Sequence, residues 1–332
     1  MASVVVPAER RRPDIRIYFP FVSHPLRTLH REEADLFLVP APWRLLNIRQ
    51  FRQTIKTLML QPEFRSNANK HFVISPKSYE FDKKIKDKNK KKILEKYGHH
   101  LQKMTIVKDK DDELIKQIRQ QHHNWGRLFD NYAHSYLDHV VSMGLQDFKV
   151  PYRPASWERF MQEQNIWLFF HPREEPFENG SSLLRFALMN TTWPTTHFSP
   201  ISVGYDLPAK EWLHDYLHSK FCLVMRGDDP ASKSLPRAIH AGCLPVIVSD
   251  YLPMFSPPFR HTVNLKDFSI IIQEEDFLQD PVGSMLSLQK LEESLLKEKI
   301  SQLQIAQQIL CPDHPESLFV PAFLKEVYDA SR

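Results

Sequence analysis

The sequence predicts an α/β fold built on parallel sheets, and one stretch carries most of that prediction. Phe221 to Met225 is a short, continuous apolar run, and Val246 to Val248 is a second, rich in β-branched residues. Each has the composition of a strand buried on both faces. Between them a polar loop leads into Leu235, Ala238, Ile239 and Ala241 at helical spacing, with Gly242 placed to end the helix. Strand, loop, helix and strand make one parallel crossover unit. A third observation is that Ile166-Trp-Leu-Phe-Phe170 repeats the strand signature upstream, after a proline-bounded segment.

A chain of 332 residues is long for one core and sufficient for two domains. The expected division is residues 1–155 and 156–332, the second ending in a long helix. Mean composition is that of a globular protein and the formal charge is +4, which argues against disorder and against a dedicated nucleic-acid binder. Glycine is scarce, with 8 residues, so a nucleotide site in this chain has to be built from side chains rather than a glycine-rich cradle. The three cysteines, Cys222, Cys243 and Cys311, are too few and too apolar in setting to suggest a disulfide framework, and they show no metal-ligand spacing. The redox compartment stays open on these grounds. Met1 to Arg12 is basic but lacks an apolar core, and no run of about twenty apolar residues follows, so neither a signal peptide nor a membrane span is read from the sequence.

In chain order, Ile15 to Phe19 alternates like a strand, and Ala34 to Pro40 is an apolar run entered from the acidic Glu32-Glu-Ala-Asp35. Asn69-Lys-His-Phe-Val-Ile74 enters the next strand with His71 at its start; a neutral imidazole there suits either a general base or a hydrogen-bonded structural residue. Lys83 to Lys92 is a dense cationic run without aromatics, read as a solvated insertion rather than a polymer-binding site. The adjacent histidine pairs 99–100 and 122–123 point in different directions on a helix and make poor chelates. Pro151 and Pro154 enforce an extended linker before the strand at Ile166. Its following loop carries His171-Pro-Arg173. Two sequons, Asn179-Gly-Ser181 and Asn190-Thr-Thr192, are compatible with a secretory lumen. Trp212, Leu213, Tyr216 and Leu217 form one stripe of an amphipathic helix ahead of Phe221. Val263 to Ile272 reads as a further pair of strands, and Met285 to Leu310 as a long helix.

The loop from Arg226 to Ser234 lies where open α/β sheets bind ligands, at the carboxyl end of a strand. It offers a guanidinium, carboxylates including Asp228, the hydroxyls of Ser232 and Ser234 and the ammonium of Lys233, ahead of a helix N-terminus. Two readings stand: a phosphate-binding loop, or an ordinary polar loop in which Ser232 or Ser234 only caps the helix.

The string Lys220-Phe-Cys-Leu-Val, Arg226-Gly-Asp, Ala238-Ile and Ala241-Gly-Cys-Leu-Pro-Val-Ile-Val-Ser-Asp250 resembles the signature of the exostosin family, glycosyltransferase family 47. The Glu32 to Pro40 and Asp147 to Pro154 segments are similar to family segments as well. The resemblance implies a GT-B-like architecture of two Rossmann-like domains with parallel sheets facing a central cleft. It implies an inverting, metal-independent enzyme using no cofactor, which moves a sugar from a nucleotide sugar, a UDP-sugar, to a glycan or glycoprotein acceptor in the Golgi lumen, alone or as a homo- or hetero-oligomer. Arg173, Arg226, Asp228, Ser232, Lys233, Ser234 and Asp250 are then the donor-binding candidates, with His71, Asp35 and Glu32 the candidate bases. The chain departs from the pattern at Pro172, at the missing turn glycines before Lys70, and in the turn after Asp250, where the family has a glutamate and this segment has none. Those departures keep a non-catalytic, glycan-binding or partner subunit as the alternative.

Overall fold

The computed structural model describes residues 21, 24–28, 30–39, 48–74, 105–108, 139–142, 149–171, 183–193, 200–204, 207–226 and 232–330. The chain divides into two compact units. One comprises residues 1–146, 258–262 and 320–332, and the other residues 147–257 and 263–319.

The first unit holds a four-stranded, all-parallel sheet, β1 (Phe37–Leu38), β2 (His71–Ile74), β3 (Thr105–Lys108) and β4 (His139–Ser142), in sequential order. A helix, α1 (Ile48–Leu60), connects β1 toward β2 and buries Ile55. The last helix of the chain, Phe319–Ala330, returns to this unit after its first residue. Its Phe323 packs against Phe21 at 4.8 Å and Phe72 at 5.7 Å, and its buried Glu326 accepts hydrogen bonds from the His261 amide at 2.9 Å and the Thr262 hydroxyl at 2.7 Å. The segment 258–262 is thereby tied to the same unit. The strand expected at Ile15 to Phe19 and the cationic run Lys83 to Lys92 lie outside the described residues.

The second unit is a five-stranded parallel sheet in the order β6-β5-β7-β8-β9, where β5 is Ile166–Phe170, β6 Ile201–Val203, β7 Ser219–Met225, β8 Leu244–Val248 and β9 Ile270–Ile272. The strand signatures at Ile166, Phe221 and Val246 thus become the three middle strands, and β7 and β8 are almost wholly buried, as their unbroken apolar composition requires. Helices α2 (Trp157–Gln162), α3 (Leu183–Met189), α4 (Ala209–Leu217) and α5 (Ser234–Ala241) precede or link these strands. The amphipathic stripe of α4 does face the core, with Tyr216 buried and Trp212, Leu213 and Leu217 beside it. Asn264 caps a short helix, Leu265–Phe268, by accepting from the Lys266 amide at 3.2 Å, so the stretch read as a pair of strands is one helical turn and one strand. The long helix is shorter than expected: α6 (Glu293–Leu310) begins after a break at Leu291–Glu292.

Gly242 ends α5 with φ 63°, and the Cys243 and Gly242 amides return to Ala238 and Ile239 at 3.0 and 3.1 Å. This paired return is the glycine-capped helix end that the sequence predicts. Around it gathers a polar hub without sequence signature. Arg159 of α2 donates to the Ala241 carbonyl at 2.7 Å, Gln164 to the Gly242 carbonyl at 3.0 Å, and the Arg153 amide to the His240 carbonyl at 2.7 Å. Gln307, fully buried in α6, donates to the Arg153 and Ile239 carbonyls and accepts from the Ala155 amide at 2.7 Å. The extended segment after Pro151 is held to α5 by these bonds, which satisfy backbone groups that burial would otherwise leave unpaired.

Cys222 and Cys243 form a disulfide, their Cα atoms 5.9 Å apart. The sequence reading, which found the cysteines too few and too apolar in setting to suggest a disulfide framework, did not foresee this bond. Phe221 pairs with Leu244 across β7 and β8, so Cys222 and Cys243 sit two register positions apart and therefore on the same face of the sheet. They lie in the cluster formed with Phe169, Tyr216, Ala238 and Ala241. Strand pairing brings together what a count of cysteines did not.

Candidate functional site

The order β6-β5-β7-β8-β9 contains a reversal. From β5 the chain passes outward to β6, then returns to place β7 on the other side of β5, and continues outward through β8 and β9. The carboxyl ends of β5 and β7 therefore mark the topological switch point, where the departing loops leave in opposite directions and open sheets bind ligands. Two residues stand there: His171, directly after β5, and Arg226, directly after β7.

Arg226 is anchored by a residue the sequence reading did not single out. Its Nε donates to both carboxylate oxygens of Glu274, at 2.7 and 2.8 Å, and the two side chains are 12% and 9% exposed. Glu274 opens the helix Glu274–Gln279 just beyond β9. Asp250, just beyond β8, joins the pair reciprocally: its amide donates to Glu274 Oε1 at 3.1 Å and its Oδ1 accepts from the Glu274 amide at 3.1 Å. The carboxyl ends of β7, β8 and β9 are thus stitched by one glutamate. The Tyr251 ring lies 5.6 Å from the Arg226 guanidinium carbon, and burial, followed by the charge of Glu274, pushes the Tyr251 hydroxyl above its usual range.

The turn after Asp250 contains no glutamate, yet a carboxylate reaches the same strand edge from β9. The signal was present as Ile270-Ile-Ile272 followed by Gln273-Glu274, an acidic residue at the carboxyl end of a strand. Asp250 is linked to Arg226 through Glu274, and the donor-binding candidate Asp228 lies outside the described residues. Arg226 Nη1 is enclosed and makes no hydrogen bond among the described residues.

The loop returns at Ser232, whose hydroxyl accepts from the Ser234 amide at 3.3 Å at the start of α5, and Tyr216 fixes that start by donating to the Ser234 carbonyl at 3.0 Å. Ser232 is buried, Ser234 half-buried and Lys233 exposed. Neither serine is the helix cap: Lys233 holds the N-cap position without a side-chain hydrogen bond, and Ser232 makes a local turn onto the Ser234 amide one residue further out.

At the other side of the switch point, His171 Nε2 lies 2.8 Å from the Ser202 hydroxyl, and that hydroxyl donates to Asp215 Oδ2 at 2.6 Å. Since the serine proton goes to the aspartate, the His171 Nε2 proton goes to the serine. Burial holds the imidazole below its usual range, with the Asp215 charge opposing. Arg173, two residues on, lies outside the described residues.

The three candidate bases fall elsewhere. His71 opens β2, is 6% exposed, stacks on Phe37 at 4.7 Å, meets the edge of Phe64 at 4.9 Å and places Nδ1 2.9 Å from the Asn67 carbonyl. Burial lowers its pKa, with the Asn67 contact opposing. Glu32 is exposed on the single turn Arg31–Glu33, and Asp35 is exposed two residues before β1. All three therefore sit at the amino ends of their strands, the edge opposite to the one that binds ligands.

The family model of the Exostosin GT47 domain matches residues 12–287. Over 59 residues the chain is 36% identical to a probable glycosyltransferase of Arabidopsis thaliana, covering 18% of this chain and 11% of that protein. Over 72 residues it is 35% identical to the exostosin-1 homolog of Caenorhabditis elegans, covering 21% of this chain and 18% of that protein. The matched stretches thus span under a fifth of either relative. No described helix is long and apolar enough to cross a membrane.

Proposed function

Because the chain belongs to the exostosin family, glycosyltransferase family 47, we propose that it is an enzyme transferring a sugar from a UDP-sugar to a glycan or glycoprotein acceptor in the Golgi lumen, with inversion at the anomeric carbon. The observation that carries the reading is Arg226, held at the switch point by Glu274 through Nε alone, with no hydrogen bond at Nη1 among the described residues.

In the proposed step the acceptor hydroxyl oxygen bonds to the anomeric carbon as the bond to the diphosphate oxygen breaks, and a base takes the hydroxyl proton. The diphosphate leaves with added negative charge. Arg226 meets that charge through its terminal nitrogens, since Nε is already committed to Glu274. Pre-anchoring favours anion binding, because a guanidinium already fixed by a carboxylate and an aromatic face loses little freedom when the anion arrives. Arg173, Asp228, Lys233 and the serines at 232 and 234 complete the donor loops in this reading, and Asp250 presents its second carboxylate oxygen to sugar or ribose hydroxyls. No metal ion is invoked. Glu32, Asp35 and His71 stand at the amino edge of their sheet, and the proposal gives the base role to none of them.

Calorimetric titration with UDP tests the donor site. Wild type is expected to bind, and Arg226→Ala to lose a charge-assisted contact of about 1.5–3 kcal/mol. Unchanged UDP affinity in the alanine variant overturns the assignment. The non-catalytic alternative rests partly on the glutamate missing after Asp250, and Glu274 weakens that support by supplying a carboxylate at the same edge. UDP binding without donor turnover, with a panel of glycan acceptors, would favour it.

A further inference from the structure

We propose that Asn190 is an N-glycosylated residue, modified in the lumen of the secretory pathway in which the Cys222–Cys243 disulfide forms. Two independent observations carry this. The first is the conformation of Asn190-Thr191-Thr192. The helix α3 is anchored by the buried side chains of Leu184 and Leu188 and ends at Met189. Asn190 follows, its amide returning to the Phe186 carbonyl at 3.0 Å. Thr191 turns back onto the helix, its hydroxyl donating to the Ala187 carbonyl at 2.6 Å and its amide to the Leu188 carbonyl at 3.3 Å. The middle residue of the triplet is thereby tucked in, while Asn190 and Thr192, the acceptor and the required hydroxyl, are both exposed.

A purely structural reason for an asparagine here fails. Asparagine is favoured beyond a helix end when it adopts the left-handed conformation. Among described non-glycine residues only Phe259 has positive φ, so Asn190 does not take that role. Its side-chain amide makes no hydrogen bond among the described residues.

The second observation is the disulfide. Both cysteines are fully buried within the sheet-to-helix core. Disulfides persist in the oxidising secretory pathway and are rare in the cytosol, where thiols are kept reduced. The compartment that closes this bond is also the one that holds the glycosylation machinery. The reaction balances without further reagents beyond a polyprenyl-diphosphate-linked oligosaccharide. The Asn190 side-chain nitrogen bonds to the anomeric carbon and loses a proton, while the bond from that carbon to the diphosphate oxygen breaks and the lipid diphosphate leaves.

The test uses protein isolated from the cells that make it. Free thiols are first alkylated in denaturant without reductant, and the protein is then digested with trypsin and treated with peptide N-glycosidase in heavy-oxygen water. The peptide from Phe186 to Lys210 contains a single asparagine, so its label is unambiguous. The expected result is heavy oxygen incorporated at position 190, no alkylation of Cys222 or Cys243, and loss of the gel-mobility shift in Thr192→Ala, whose exposed side chain leaves the fold intact. Recovery of the peptide with unmodified asparagine, cysteines oxidised, overturns the site. Cysteines alkylated without reduction place the chain in a reducing compartment and overturn it as well.

Discussion

Arg226 and Glu274 stand 48 positions apart in the chain and meet at 2.7 Å, at the carboxyl ends of two strands separated by a third. The pair is nearly enclosed, so each charge depends on the other. Removing one partner leaves an uncompensated charge in a poorly solvated site.

Glu274→Ala is accordingly expected to lower unfolding free energy by about 3–5 kcal/mol, read from urea denaturation. Replacing both residues by apolar ones, Arg226→Met with Glu274→Leu, should recover most of that stability because no buried charge remains unpaired. The double variant should nevertheless bind no UDP. Recovered stability together with retained binding would show that the pair is structural only.

Gly242→Ala is expected to be among the most damaging single-methyl changes in the chain. The left-handed φ of 63° costs an alanine about 1–2 kcal/mol. A Cβ would also lie 2.9 Å from the Arg153 carbonyl oxygen and 3.0 Å from the Ala155 amide, so the linker held by Gln307 must move. A total loss of about 3 kcal/mol or more follows, measurable by thermal and urea unfolding. A loss under about 1 kcal/mol would mean that the linker shifts freely.

The Cys222–Cys243 disulfide joins residues 21 positions apart in the chain. Restricting the unfolded chain over that span contributes about 3 kcal/mol, so the paired change Cys222→Ala with Cys243→Ala should lower stability by that amount under oxidising conditions. The same comparison in reductant should narrow the difference between the two proteins.

Stability should fall as the solution is acidified below about pH 6.5. His71 and His171 both have folded pKa values held below the usual range by burial, so the unfolded chain takes up their protons first. Their contribution is complete above the unfolded value and is lost as pH drops through it toward the folded values. His71→Phe keeps a ring between Phe37 and Phe64 and removes one titration. It should flatten the dependence of the urea midpoint on pH and leave UDP affinity at neutral pH unchanged. Lost UDP affinity with an intact fold would return His71 to the site.

What the sequence determined by itself is local and periodic. Unbroken apolar runs fixed β5, β7 and β8, the stripe of Trp212 to Leu217 fixed the face of α4, and Gly242 fixed the end of α5, because burial on two faces, a 3.6-residue period and a left-handed turn each restrict residue types at neighbouring positions. The Arg226 loop was legible for the same reason, since a strand end followed by a helix start is written in consecutive residues. What only the tertiary structure decided depends on strand order. Glu274 reaches Arg226, Cys222 reaches Cys243 and Gln307 reaches the Arg153 to Ala155 segment because parallel pairing and helix packing bring distant positions together, and no period in the sequence records which strand lies beside which. His71 shows the same limit from the other side: its residue type suits catalysis, but its place at the amino end of β2, packed between two phenylalanines, follows from the direction of the strand through the sheet.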